Sequence, residues 1–338
     1  MDDRILVFNC HEAWVHQLGL LGRPMDIIVG LPGRHTRGWD YKMRPVPPNA
    51  RMIDLREAVG SNRCYDCVIA HNLTDLLDCK TIDSPKLLML HLTLEGIVLE
   101  QNSKTDPRLF RQALSRYLRQ EGLHAAAVSS LKGRSWGITE DIVPLAADPA
   151  AYPEFQGGEP AGLRVSNFIT RRAQTLLWDF HVRAFGGLPV KLVGHNPELP
   201  DVTSAADWNA LKGLLRNHRF FIHTAHPQLE DGYNMATLEA MAAGLPVLGN
   251  RHPSSPIVHG FNGFLSNDPE ELRGFAIRLL ENQQLAIEMG RAARQTILDQ
   301  FSPALFRTRM SRSIQTARDI WTNTQMGRSV SLSAKCIE

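Results

Sequence analysis

Two carboxylates, Asp231 and Glu239, bracket a short stretch that changes character midway. Asp231, Gly232, Tyr233 and Asn234 read as polar loop. Met235, Leu238 and Met241 then recur at helical spacing, and Gly244-Leu245-Pro246 stops the pattern before the apolar Val247-Leu248. A loop that feeds a helix N-terminus offers backbone N–H groups and the positive end of the helix dipole, so it attracts anions. Carboxylates are poor partners for phosphate but accept hydrogen bonds from hydroxyls. The combination suits a ligand that is part phosphate and part polyol, as a sugar nucleotide is. Taken alone, the same residues also fit a solvated loop and a carboxylate that merely complements the dipole.

Other residues carry chemistry in smaller groups. Arg171 and Arg172 fall at a strand-to-helix turn. A guanidinium placed there stabilises a departing diphosphate more in the transition state than in the ground state. Cations on a first helical turn oppose the dipole, which favours ligand duty over a solvated face. His91 ends the apolar run LLML, where an imidazole can hydrogen-bond a hydroxyl or simply be a satisfied edge histidine. His11, Glu12 and Trp14 follow the first strand and are the candidates for acceptor contacts, with Trp14 as a stacking platform. The run HEAWVH is near the zinc-protease HExxH, but His11 and His16 do not share a helical face, so no zinc is expected there. His223 and His226 lack a convergent third ligand. Cys64 and Cys67 form a CxxC without a second one, and Cys67 lies inside an apparent strand, so core thiols are the simpler reading. Arg108, Arg111, Arg116 and Arg119 recur along 107–120. They suit either a solvated helix face or contact with anionic lipid or a polyanionic acceptor.

The elements that would hold these residues alternate. Strands are expected at 5–9, 25–30, 65–70, 86–92 and 124–129, with helices at 14–21 and 107–120 and loop over 31–50. Residues 144–162 are crowded with Pro and Gly and read as a linker. The alternation restarts with strands at 163–168, 190–193, 220–223 and 247–249. Helices are expected at 172–185, 206–215, 235–243, 269–281, 284–300 and about 303–322. This pattern predicts two α/β domains, 1–150 and 160–322, each a doubly wound parallel sheet with helices on both faces, and a flexible tail over 325–338. Ligands of such sheets bind outside the carboxyl ends of the strands.

Length and composition agree with a soluble enzyme. The chain has 338 residues, 43% hydrophobic and 21% charged, enough for two cores. A net charge of +2 argues against nucleic acid as the main partner. Five scattered cysteines suit a reducing, cytoplasmic setting, and no apolar run approaches membrane-spanning length. Peripheral contact with the inner face of a membrane stays open.

The stretch DGYNMATLEAMAAGLPVLGN, followed by HPSSPIVHGFNGFL and SNDPEELRGFAIRLLEN, resembles the donor-binding half of retaining glycosyltransferases of the GT-B fold, in the family 4-like group. The likeness covers roughly 163–320. It implies two Rossmann-like domains facing across a cleft, and transfer of a sugar from a nucleotide-diphosphate donor, UDP- or GDP-linked, to a carbohydrate, lipid-linked or small-molecule acceptor with retention. By resemblance Asp231 holds the sugar, Glu239 the ribose, and Gly232, Tyr233, Asn234 and Met235 offer amides, with Thr237 adding a hydroxyl. Gly194 and His195 lie where the family packs the base, and His91 lies near the sugar. The family's phosphate clamp is not spelled out, and Arg171 and Arg172 are the nearest cations. The family's first glutamate is here the shorter Asp231, and the usual glycine-rich loop after the first strand is replaced by NCHEAWVHQL. No Asp-x-Asp motif is present, so arginines and helix amides would hold the diphosphate, with no metal or other cofactor expected. Attack on the same face as the leaving group, with its phosphate as base, is what the resemblance implies. A sugar-nucleotide epimerase or hydrolase of the same fold, or a non-catalytic sugar-nucleotide-binding protein, are the alternatives.

Overall fold

The computed structural model describes residues 3–33, 38–61 and 63–335, with side chains through 327. Part of the expected 31–50 loop, the end of the expected tail and Cys336 lie outside these. The chain divides into two compact units. One comprises residues 1–94, 104–144 and the chain from Phe306 onward; the other comprises 95–103 and 145–305.

The first unit is built on six parallel strands: β1 (Ile5–Phe8), β2 (Met25–Ile28), β3 (Ala50–Ile53), β4 (Cys67–Ala70), β5 (Lys86–Leu90) and β6 (His124–Ala127). Their order is β3-β2-β1-β4-β5-β6. The chain winds outward one way from β1 and then restarts at β4, so β1 and β4 flank the switch point where a crevice opens at the carboxyl ends. β1, β2, β4 and β5 are buried on both faces and therefore read as unbroken apolar runs. β3 is a partly exposed edge strand that begins at the last residue of the expected loop and was not expected as a strand.

Asp26 is the charged exception in this sheet. Its carboxylate is fully buried and accepts from Arg4 Nη1 at 2.9 Å, Arg51 Nε at 2.8 Å and the Tyr65 hydroxyl at 3.1 Å. Burial alone would raise its pKa, but Arg51, Arg4 and the Tyr65 hydroxyl outweigh it and hold the carboxyl below the usual range. A depressed folded-state pKa stabilises above the unfolded value of about 3.9, and that contribution is lost as pH falls through the folded value. Denaturant melts of the wild type should therefore weaken as pH drops below about 4, while Asp26→Asn should be less stable at neutral pH and flatter across that acid window.

The second unit holds β7 (Glu159–Val165), β8 (Val190–Val193), β9 (His218–Ile222), β10 (Val247–Gly249) and β11 (Gly263–Leu265), all parallel in the order β11-β10-β9-β7-β8. Its switch point falls between β7 and β9. Phe180, Phe185, Phe220, Phe264, Leu272 and Met289 fill one side of the sheet.

Three expectations need correction. The helix expected from 172 begins only at Trp178. Phe168 and Leu177 sit at φ 52 and 49, and the intervening chain is turn. The buried Arg164 explains part of this, because its guanidinium takes the Leu176 carbonyl (3.0 Å) that a continuous helix would have used internally. The last helix runs from Pro303 to Lys335, through the expected tail; no proline interrupts it, and serine lowers helix propensity only by tenths of a kcal/mol. That helix also groups with the first unit instead of the second. Phe306, Met310, Ile314 and Ala317 form its buried stripe, Arg318 pairs with Asp66 at 2.8 Å and the Ser313 hydroxyl donates to Asp141 at 2.5 Å. Among the described residues no helix is long and apolar enough to cross a membrane.

Candidate functional site

The loops after β7 and β9 carry the residues that the sequence singled out, and these are the two strands that flank the second unit's switch point. Arg171 and Arg172 lie in the first loop, Asp231 and Gly232 in the second. The Met235–Ala243 helix starts where expected, capped by Asn234. Asn234 Oδ1 accepts from the Thr237 amide at 2.9 Å, and Thr237 Oγ1 accepts from the Asn234 amide at 3.3 Å. This reciprocal cap corrects two expectations. Thr237 is fully buried with its hydroxyl inside the cap, and the Asn234 amide is taken, so neither is offered to a ligand. Asn234→Ala should cost about 1 kcal/mol, the usual worth of an N-cap, and lower the melting temperature by about 2–4 °C, read by thermal unfolding.

The two neighbouring arginines face different partners. Arg172 bridges Glu100 (2.8 Å) and Glu230 (3.0 Å). Burial opposes its charge, but the two carboxylates outweigh burial and hold it more firmly protonated than a free arginine. Glu230 Oε1 in turn accepts from the Asp231 amide at 3.0 Å. Asp231 is 1% exposed, and its Oδ1 accepts from the Ser254 hydroxyl at 3.0 Å. Ser254 Oγ also accepts from the Gly232 amide at 3.0 Å. Behind them, His252 Nδ1 accepts from the Ser254 amide at 3.1 Å, which fixes the tautomer with its proton on Nε2. His223 Nε2 donates to the Asp231 carbonyl at 3.0 Å, and burial pushes its pKa down to about 4, so it is neutral at pH 7. A Cβ on Gly232 would stand 2.7 Å from the His252 ring, so only glycine fits beside it. The result is one connected relay from Arg172 through Glu230, Asp231 and Ser254 to His252.

Arg171 belongs to a second cluster. Its side chain is 63% exposed, reaches Glu198 at 2.5 Å and lies over the Phe168 ring at 5.5 Å. Phe168 meets the exposed His195 ring edge-on at 5.0 Å. A surface cavity of about 370 Å³ adjoins, lined by Gly194, His195, Asn196, Pro197, Val202 and Thr203. Gly194 has φ +138 and an added Cβ would lie 2.2 Å from the Ser166 carbonyl. Its amide donates to Thr203 and the His195 amide to Asn167, so these two N–H groups, expected to face a base, are engaged internally. Tyr233 is buried against Phe301 at 5.2 Å, Met235 opens the helix, and Glu239 lies further along it, 7% exposed.

In the first unit, His91 follows β5 and sits 2.9 Å from His71 Nδ1. Burial, with the neighbouring His71 adding to it, keeps His91 well below the ordinary histidine range; burial puts His71 at about 3. Both rings are neutral at pH 7. His11 is exposed, and Glu12 accepts from Asn9 at 3.2 Å. Trp14 overturns its expectation as a sugar platform. It is 2% exposed, with edge contacts to His71 (4.8 Å), His91 (4.9 Å) and Phe306 (6.4 Å), so no ring face is open for stacking.

The sequence reading missed Glu230, Ser254, His252 and His71. Glu230 was legible as a second acid beside Asp231. Ser254 and His252 lie on a separate loop, and only the fold brings that loop beside Asp231.

Residues 172–282 match the family model described as glycosyl transferases group 1. N-acetyl-alpha-D-glucosaminyl L-malate synthase of Bacillus anthracis is 36% identical over 76 residues, which are 21% of this chain and 20% of that protein. The match thus spans a fifth of the curated relative's length. Among solved structures, Anabaena Alr3699/HepE in complex with UDP aligns at a TM-score of 0.66 and 14% identity, covering 94% of this chain and 100% of that one. Sucrose-phosphate synthase (tll1590) from Thermosynechococcus elongatus aligns at 0.64 and 14%, covering 92% and 98%. At such identities the likeness is one of fold: two parallel-sheet α/β domains of the GT-B kind.

Proposed function

We propose that this chain, whose residues 172–282 are a glycosyl transferases group 1 segment, is a glycosyltransferase that moves a hexose-type sugar from a nucleotide-diphosphate donor to an acceptor hydroxyl with retention at the anomeric carbon. The observation that carries this is the relay at the switch point of the second sheet, where a buried carboxylate (Asp231), a cation (Arg172) and a hydroxyl (Ser254) are held in one hydrogen-bonded array. A pre-positioned array of this kind can act on charge that develops in the transition state without rearranging.

In this reading Asp231 accepts from sugar hydroxyls and Glu239 from the ribose. Arg171, the more exposed of the two arginines, leaves Glu198 for the diphosphate, while Arg172 holds the Glu230–Asp231 loop and adds positive potential. Gly232 lets the His252 ring pack against the loop, and its amide, expected to face the ligand, goes instead to Ser254, which fixes the turn that leads to Tyr233 and Met235. The base occupies the cavity beside Gly194 and His195, which supports a UDP- or GDP-linked donor. Among the known folds nearby, Alr3699/HepE was solved with UDP, which favours testing uridine first. His91 and the exposed His11 with Glu12 supply hydroxyl contacts in the first unit, for a carbohydrate, lipid-linked or small-molecule acceptor. The diphosphate needs no metal in this scheme, and nucleic acid has no part in it. Cys10, Cys64, Cys67 and Cys79 are in no disulfide, which fits a reducing cytoplasm, with peripheral attachment at a membrane face compatible with it.

A panel of UDP- and GDP-sugars in a thermal-shift assay tests the reading. A ligand that binds only the folded state at 100 times its Kd adds about 2.7 kcal/mol. One donor class should raise the melting temperature, and the bound donor should then label a mixed acceptor pool with the anomeric configuration kept. Inversion, or release of free sugar with no acceptor product, would overturn it.

A further inference from the structure

The crevice at the first unit's switch point contains a donor set that sugar transfer does not need. Cys10 follows β1, His71 follows β4 and His91 follows β5, three strands that are neighbours in the sheet. The Cys10 Sγ and one nitrogen from each imidazole all lie within 4.8 Å of one another. His71 Nδ1 and His91 Nε2 share one proton across 2.9 Å. His71 is 8% exposed, and its Nε2 is buried without a hydrogen bond. Trp14 packs edge-on against both rings and walls the site.

We infer that Cys10, His71 and His91 form a binding site for a soft divalent transition-metal ion, with Zn²⁺ the best match, and that an ion there withdraws His91 from hydroxyl binding. The second half rests on the role given to His91 under the proposed transfer; the first half stands without it. One sulfur and two imidazole nitrogens are the ligand types that zinc takes in three-ligand sites with an open fourth position. With Zn–S near 2.3 Å and Zn–N near 2.0–2.1 Å, tetrahedral donors stand about 3.3–3.6 Å apart. The set must therefore contract by about 1 Å at its widest, and the histidine pair must open by about half an ångström. Side-chain rotation at strand ends supplies both.

The proton balance is simple. The thiol releases its proton to solvent, and the ion takes the place of the proton shared by the two imidazoles. That proton moves to the other nitrogen of the ring that carried it, so both rings stay neutral. If it belongs to His71, it arrives on the buried Nε2, and the Phe8 backbone is the acceptor that this ring has nearby. A backbone carbonyl in that place is the usual outer partner of a ligating histidine.

Co²⁺ titration of tag-free full-length protein is the test, because cobalt reports its ligands in its spectrum. The expected result is one equivalent bound with a sulfur-to-cobalt charge-transfer band and tetrahedral d–d bands, all bleached by Zn²⁺. Cys10→Ser should lose the charge-transfer band. It should also weaken Zn²⁺ by more than about 10–100-fold, the cost of losing even an outer partner of a ligand. His71→Gln should weaken it comparably, and circular dichroism of both variants should match wild type. Absence of the band, or equal affinity in Cys10→Ser, would overturn the site. In the transfer assay Zn²⁺ should inhibit wild type and spare Cys10→Ser; inhibition of both alike would overturn the claim about His91. A protein with no transfer activity would still give the cobalt spectrum, so the two readings fail separately.

Discussion

Asp231→Ala is expected to lower kcat/KM for sugar transfer by on the order of 100- to 1,000-fold, the range seen when one pre-positioned transition-state partner is removed. The carboxylate is 1% exposed and has Ser254 as a hydrogen-bond donor, so it is already aimed before a ligand arrives. Alanine removes the acceptor and also frees the Ser254 hydroxyl, which then turns to His252 Nδ1, 3.1 Å away. Two companions separate chemistry from positioning. Asp231→Asn keeps the size and one oxygen but loses the charge, and should fall nearly as far. Ser254→Ala keeps the carboxylate and loses only its anchor, so about a tenfold loss is expected, the worth of one hydrogen bond to a charged group. Initial rates with a fixed donor and acceptor measure all three. An Asp231→Ala enzyme within about threefold of wild type, with the fold intact by circular dichroism, would remove Asp231 from the site.

Gly290→Ala should be the most damaging conservative change to the second unit. Gly290 lies on the Gln283–Gln300 helix and faces the end of the Met235–Ala243 helix, where Gly244 caps the chain at φ 95. A Cβ at 290 would stand 1.8 Å from the Gly244 carbonyl oxygen, and a backbone atom cannot rotate away as a side chain can. One of the two helices must move, which opens the packing of Ala286, Met289 and Ala293 beneath them. Overpacking costs about 1–3 kcal/mol, and a clash with backbone belongs at the upper end. A loss of about 3 kcal/mol corresponds to a fall of about 6–12 °C in melting temperature for a unit this size. Calorimetry would show it. The displaced helix begins beside Asp231, so activity should fall at temperatures well below the transition. Gly274, at an exposed position on the Pro269–Glu281 helix with nothing near its Cβ, is the control: Gly274→Ala should be neutral or stabilising.

What the sequence revealed follows from what each residue is bonded to. Buried strands such as LLML and YDCVIA were legible because parallel strands covered on both faces are apolar throughout. The Met235–Ala243 helix was legible from its polar start and its Gly244-Leu245-Pro246 stop. The Arg172–Phe185 helix was misplaced because its first turns look helical in isolation, yet Arg164, on the preceding strand, claims the Leu176 carbonyl. β3 and β11 were missed because a half-exposed edge strand and a three-residue strand leave almost no periodicity. At the site, the sequence singles out Asp231, Arg171 and Arg172, but it does not say what each of them pairs with. Nothing local says that Arg172 reaches Glu100 and Glu230 while Arg171 turns to Glu198. Trp14 shows the same limit from the other side. An aromatic after a strand suggests a platform, and only the stripe of the last helix, with Phe306 against it, shows that the ring is sealed.

That stripe has a consequence for synthesis. Phe306, Met310, Ile314 and Ala317 are buried in the first unit, with Phe306 against Trp14, yet they are translated after every residue of the second unit. At about 5–20 residues per second, the ribosome leaves the nascent first unit without this stripe for about ten seconds or more while the intervening segment is made. Throughout that interval the edge of Trp14 that Phe306 seals stays open to water, and a chain that stops before Phe306 never closes it.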